Sequence, residues 1–295
     1  MKWKFNIIKL LAYTGCAYVL LFLAALFGFV VSHGLPVLNL HLFFGDTPPL
    51  KAVLGLSPVW EGIWPATVGT LCLVLLTMLF AAVPGICCGI YLSCFEKGRR
   101  AEYLSLAMDL LAGTPSIVMG LFGFVLILLL RKTVFPQAST SILLSAFCLA
   151  LLVMPALVTA TRSSIESLPV SLKLTGLSLG FTHGQLLRYL VIPSAARGII
   201  SGIILAAGRA AEDTAVIMLT GVVINSGIPS GLTAKFEALP FRIYYTAAQY
   251  TDEYELMRGF GAAMVLLILS VLLVSAASLF QKSMERSLKG TEKYE

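Results

Sequence analysis

The sequence predicts an all-α, polytopic membrane protein with six transmembrane helices. Three observations carry that prediction. Of 295 residues, 58% are hydrophobic and only 12% charged, whereas soluble domains charge about a quarter of theirs. The mean hydropathy is +0.91. Apolar residues also come in blocks long enough to cross a hydrocarbon core of about 30 Å as helices. This composition excludes a soluble globular domain, a disordered chain, nucleic-acid binding through a basic face and a small disulfide scaffold. The net charge of +6 therefore bears on topology rather than on an acidic ligand.

The first span is expected at 8–31, opened by Lys2, Lys4 and Lys9. Its apolar run, 10–31, outlasts the core of a cleavable signal peptide, about 7 to 15 residues. It ends in Ser32-His33-Gly34-Leu35-Pro36 rather than a small-residue cleavage site, so an uncleaved span is expected. The second span is placed at 66–93, after a loop carrying Thr47-Pro48-Pro49. The third, 107–130, follows the charged turn Glu96-Lys97-Gly98-Arg99-Arg100, and 132–136 separates it from the fourth at 140–160. A long stretch, 161–196, precedes the fifth span at 197–224, and 225–256 precedes the sixth at 257–281. This divides the chain into an N-terminal span with first outer loop (1–65), a core (66–281) and a charged tail (282–295).

Orientation follows from the Lys and Arg distribution. One side collects Lys2, Lys4, Lys9, Lys97, Arg99, Arg100, Arg162, Lys173, Arg188, Arg197, Lys282, Arg286, Lys289 and Lys293. The other has Lys51, Arg131, Lys132, Lys235, Arg242 and Arg258. Both termini and the loop 161–196 are therefore expected in the cytoplasm.

Cys16, Cys72, Cys87, Cys88, Cys94 and Cys148 sit in or beside apolar blocks without a CxxC spacing. They read as small buried residues. His33, His41 and His183 are unaccompanied by clustered acids or thiols, so no metal site is expected. No GxSxG, HExxH or P-loop pattern occurs. No enzyme and no cofactor is expected, and any ATP used must be hydrolysed by another chain.

Three constellations carry chemistry. Arg209-Ala210-Ala211-Glu212-Asp213-Thr214 lies deep in the fifth apolar block, where each charge costs about 2.5–3.5 kcal/mol. Helical spacing brings Glu212 (i+3) and Asp213 (i+4) near the Arg209 face. Since adjacent residues point about a hundred degrees apart, Asp213 is expected to pair with Arg209 across one turn and Glu212 to face a neighbouring helix. The set reads as a substrate or ion pathway ahead of an ion pair that merely joins helices. Gly113-Thr114-Pro115-Ser116 interrupts the third block, because Pro removes a backbone donor and its neighbours let a helix open. Such a break can line a site with free N–H groups, or it can be a kink beside close packing at Gly113, Gly120 and Gly123. The stretch 168–197 reads as an amphipathic helix, a Gly180-to-Gly184 turn and a second short helix ending at Ile192-Pro193. A loop this long implies docking of a cytoplasmic partner.

That third segment resembles the coupling loop of ABC importer permeases, with Leu174, Thr175 and Gly176 on the Glu-Ala-Ala positions and Gly180 on the following Gly. Leu187-Arg188-Tyr189-Leu190-Val191-Ile192-Pro193 is similar to the continuation in the phosphate branch. Further matches are Thr47-Pro48-Pro49, the stretch 62–71, Pro84-Gly85-Ile86, 89–92, Asp109, 115–122, Arg209 and Thr214-Ala215. Over 47–224 the chain is thus similar to the PstA-type permease subunit of phosphate ABC transporters. It departs at Leu174, which replaces an acidic residue, and at Asp213, Glu212 and Val216, which stand for Glu, Gly and Pro.

The resemblance implies a six-helix importer permease with a cytoplasmic coupling helix in the inner (plasma) membrane, forming half of a phosphate pathway. It implies a second homologous permease, two ATPase subunits and a periplasmic or extracellular binding protein as partners, and no nucleic acid. Arg209, Glu212, Asp213, Thr214, Thr114, Pro115 and Ser116 become pathway residues. Leu174, Thr175, Gly176, Gly180 and Pro193 become coupling residues, with apolar contacts replacing the acidic one. The competing readings are a permease for sulfate, molybdate or tungstate, and an ATP-independent secondary transporter using Glu212 and Asp213.

Overall fold

The computed structural model describes residues 2–95, 98–133 and 136–289. In chain order these form α1 (Lys2–Gly34), a 3-10 turn (Leu35–Val37), α2 (Leu40–Phe44), α3 (Pro49–Val53) and α4 (Trp64–Cys94). There follow α5 (Arg99–Ala112), α6 (Ser116–Thr133), α7 (Ile142–Glu166), α8 (Val170–Ser178), α9 (His183–Leu186) and a π turn (Leu187–Val191). The last helices are α10 (Ile192–Glu212), α11 (Ala215–Thr220), α12 (Leu239–Gln249) and α13 (Glu253–Lys289). Among the described residues, six stretches are long and apolar enough to cross a membrane: Asn6–Val37, Trp64–Cys94, Ser116–Thr133, Ile142–Glu166, His183–Glu212 and Glu253–Ala276. Strand pairing among them is one isolated bridge, Val222 to Phe236.

The all-α expectation holds, with two spans redrawn. The third is not continuous over 107–130: α5 ends at Ala112, and α6 starts only at Ser116, after Pro115. The fifth does not run 197–224 either. Its helix begins at His183, continues through the π turn and Pro193, and stops at Glu212, where Asp213 turns extended (ψ 125°). Pro193 does not end a helix as expected: it stands directly after the π turn, at the start of α10, and the helix continues through it.

At the centre is α7, packed by α4 and α10. Lipid tails are as apolar as the side chains, so helices associate through close packing at small residues. Gly85 lies against Leu157 and Met154, Gly89 against Thr161, and Gly202 against Ala160. Leu149, Val153 and Leu157 fill the space between and are fully buried. By contrast, α1 has no buried residue in its apolar window and packs along α13. The two meet closely where Gly34 lies on the Phe260 carbonyl and Phe29 meets Phe260 edge-to-face at 5.5 Å.

The segment 221–238 closes over the N-terminus of α7. The first N–H groups of a helix have no intrahelical acceptor, and inside a membrane protein water cannot serve. Here Ile142 and Leu143 donate to the Ala234 and Leu232 carbonyls, each at 3.0 Å, while Ser141 Oγ accepts from Leu144. On its other side the segment is fixed to α4. The Leu239 N–H donates to Thr70 Oγ1 at 2.9 Å, and Gly69 faces the Glu237 carbonyl so closely that a Cβ would lie 2.0 Å from it. Glu237 itself is buried, 3.1 Å from Arg242, and accepts the Gly227 N–H at 3.1 Å. Burial pushes its carboxyl pKa up, against the pull of Arg242 and of the Gly227 and Ser226 backbone.

Candidate functional site

Along α10 two faces separate. Ala206 and Ala210 are buried against α4 and α7, in a cluster with Ala81, Val153 and Leu157. Ser201, Leu205, Arg209 and Glu212 are exposed, at the i, i+4, i+8, i+11 spacing of one helical face. Arg209, Glu212 and Asp213 line an open groove of about 830 Å³. Ser201 and Gly208 extend it along α10, and α13 contributes Val274, Ser278 and Gln281. Gln281 also donates to the Arg197 carbonyl at 3.5 Å. Ser278 and Gln281 were missed in the sequence, although a Ser and a Gln three apart at the end of an apolar span are a usable signal.

The charges are arranged differently from the helical-spacing expectation. Arg209 makes no ion pair among the described residues. Asp213 does not pair with it at i+4, because α10 has ended. Its Oδ1 instead accepts the Val216 N–H at 2.8 Å and caps α11. Glu212 does not face away toward another helix; it is exposed in the same groove as Arg209. Thr214, half-buried, occupies the break itself.

Thr114, Pro115 and Ser116 do not line this groove. The Thr114 hydroxyl donates to the Leu110 carbonyl at 2.9 Å, and the Pro115 carbonyl accepts from Val118 at 3.0 Å. The two breaks are nevertheless related. Gly120 packs on the Ala215 carbonyl and Gly123 on Thr220, so α6 and α11 run side by side in the same direction. Each is preceded by its break, and both breaks lie at the same end of that pair.

At the other end of the fifth span, α8 closes with paired backbone bonds. The Gly180 N–H donates to Leu177 and the Phe181 N–H to Gly176, at 3.0 and 3.1 Å, with Gly180 at φ +82°. This is the double bond pattern that ends a helix on a left-handed residue. Gly176 is buried, and a Cβ there would meet Leu186 and Leu190. Thr175 is exposed and donates to the Ser171 carbonyl. Leu174 and Leu177 lie 58% and 45% exposed on the outer face of α8, and Leu179 follows at 70%.

His41 is not isolated, contrary to its surroundings in sequence. The turn at Gly45 brings Asp46 to 3.2 Å from its Nε2, and Glu61 joins them, all three exposed. The six cysteines are free thiols, but only Cys148 is buried within the protein as expected; Cys88 is half-buried, and Cys16, Cys72, Cys87 and Cys94 lie exposed.

Residues 85–290 match the family described as binding-protein-dependent transport system inner membrane component. The chain belongs to that family. The match takes in the α7 hub, the α8–α9 segment and the whole groove, and this permease also resembles named relatives over most of its length. It is 30% identical over 223 residues to phosphate transport system permease protein PstA 1 of Mycobacterium tuberculosis (strain H37Rv), covering 75% of this chain and 70% of that one. To PstA of Pasteurella multocida (strain Pm70) it is 26% identical over 287 residues, covering 96% of each. To PstA of Yersinia pestis it is 28% identical over 255 residues, covering 85% and 81%.

Among solved structures, the permease is similar in fold to a chain of the inward-facing MetNI methionine ABC transporter. The TM-score there is 0.58 at 16% identity, covering 81% of this chain and 99% of that one. A bacterial ABC transporter involved in importing the acidic polysaccharide alginate gives 0.57 at 12%, covering 94% and 99%.

Proposed function

We propose that this permease forms half of the membrane pathway of an ATP-driven importer of inorganic phosphate. The observation that carries the reading is Arg209, a guanidinium without an ion-pair partner among the described residues, exposed in a groove beside a broken span. A planar fork of donors suits a tetrahedral oxyanion, and the relatives named above are phosphate permeases. The other half would be a second homologous permease. A binding protein would deliver the ion, and two ATPase subunits would bind at α8 on the cytoplasmic side, where both termini also lie. Tags at residues 1–5, 170–190 and 285–295 must then all be reached from the cytoplasm. Uptake of labelled phosphate by cells carrying the complete system is expected to be competed by excess phosphate, and not by sulfate, molybdate or tungstate. It is expected to stop when the ATPase is inactivated. Competition by another oxyanion would reassign the ion, and uptake surviving ATPase loss would favour secondary transport.

The coupling residues supply a mechanical link. Leu174 and Leu177 offer apolar contact to the ATPase. Gly176 seats α8 on Leu186 and Leu190, which continue through the π turn into α10 and Arg209. Gly180→Leu forces a side chain onto a left-handed residue at about 1–2 kcal/mol, with open space around it. Membrane insertion is expected to be unchanged, while uptake per ATP hydrolysed falls severalfold. Wild-type coupling in that variant would remove α8 as the docking element.

A further inference from the structure

On the flank of the bundle away from Arg209, α4, α6 and α7 leave a second groove of about 630 Å³. Its walls are Phe80 on α4, Leu126 and Leu130 on α6, and Leu144 and Phe147 on α7. Phe80 and Phe147 meet edge-to-face at 6.5 Å. Only the end toward the start of α7 is polar, where Gln137, Ser139 and Thr233 form a rim. Apolar walls give water no partners, so this space within the bilayer takes a hydrocarbon chain.

The rim is also basic. Arg131 Nε donates to the carbonyl of Ala138, a lining residue, which holds its guanidinium beside the mouth. Its other N–H groups have no partner among the described residues. Lys132 is exposed next to it, and Lys235, also exposed, lies two residues beyond Thr233. No Asp or Glu occurs in 110–165 or 214–236, so nothing in these segments neutralises the three cations.

We infer that this groove holds one acyl chain of an anionic phospholipid, with its phosphate against Arg131, Lys132 and Lys235. The bound lipid lies in the leaflet opposite α8. It joins α6 and α7 to the segment 231–234 that caps α7, and it does so whichever ion the permease carries. Basic residues at a membrane surface each attract an anionic lipid by about 1 kcal/mol; a groove for the chain turns that general attraction into retention at one place.

Native mass spectrometry of the purified transporter, stripped of lipid and then given phosphatidylglycerol or phosphatidylcholine with matched chains, tests this. Phosphatidylglycerol is expected to be retained about tenfold better. The exposed double variant Lys132→Ala/Lys235→Ala, which leaves Arg131 in place, should cut that preference severalfold, while Lys51→Ala, a cation of the first outer loop, should not change it. Leu144→Trp, which fills the groove, should release the lipid although all three cations remain. Assembly of each variant is checked by gel filtration, and the lysine pair, on the surface, keeps the test valid if Leu144→Trp fails to assemble. Equal retention of both lipids, or an undiminished preference in the lysine variant, would overturn the inference. Displacement of phosphatidylglycerol by excess inorganic phosphate would likewise overturn it, marking the rim as a site for the free ion.

Discussion

Arg209→Ala is expected to abolish phosphate uptake while the protein still inserts and assembles. The side chain is exposed and makes no ion pair among the described residues, so its removal breaks no ion pair among them. What is lost is contact with the ion. A hydrogen bond to a charged group contributes about 1.5–3 kcal/mol, so losing a forked pair lowers transport by a hundredfold or more. Arg209→Lys keeps the charge without the fork and should fall between. The neighbouring acids respond differently from each other. Asp213→Asn should be mild, since Asn caps a helix about as well as Asp. Asp213→Ala, without a cap, should cost about 1 kcal/mol and loosen α11. Glu212→Gln should leave transport intact or raise it, by removing a negative charge from the groove. Radiolabelled phosphate uptake, normalised to membrane-inserted protein, reads all five, and normal uptake by Arg209→Ala would sink the pathway assignment.

The largest effect on folding is expected from Gly69→Val. The added Cβ would sit 2.0 Å from the Glu237 carbonyl. Neither backbone can withdraw easily: Gly69 is inside α4, and Glu237 is held by Arg242 and the Gly227 N–H. Overpacking typically costs 1–3 kcal/mol, and with backbone on both sides we expect about 3 kcal/mol or more. The cost should appear as a sharply lowered Tm in detergent and poor recovery of monodisperse protein. Gly15→Ala and Gly28→Ala, with nothing within 4 Å of the new atom, should be neutral or slightly stabilising. A wild-type Tm for Gly69→Val would mean that the segment 221–238 does not lie on α4.

The six spans were legible because hydropathy is a property of sequence blocks and needs no knowledge of contacts. The breaks were harder. Pro84 and Pro155 lie inside unbroken α4 and α7, whereas Pro115 separates two helices. The difference is the preceding Gly113-Thr114, which the sequence marks as permissive without saying which way the chain goes. The Arg209–Asp213 pairing failed for a related reason. A spacing of four places residues on one face only while the helix continues, and Asp213 is where it stops. His41, Asp46 and Glu61 meet through a loop held by the bond from Ile63 N–H to the Leu42 carbonyl, a contact that no periodicity announces.

The fifth span runs helically from His183 to Glu212, 30 residues. At a rise of 1.5 Å per residue such a rod is about 45 Å long. Swinging it by about 5° around one end carries the other through an arc of about 4 Å. That is more than the length of a hydrogen bond to phosphate. Under the function proposed above, a movement at α8 too small to disturb the packing on Leu186 would thus be enough, at Arg209, to decide whether the guanidinium reaches an ion or misses it.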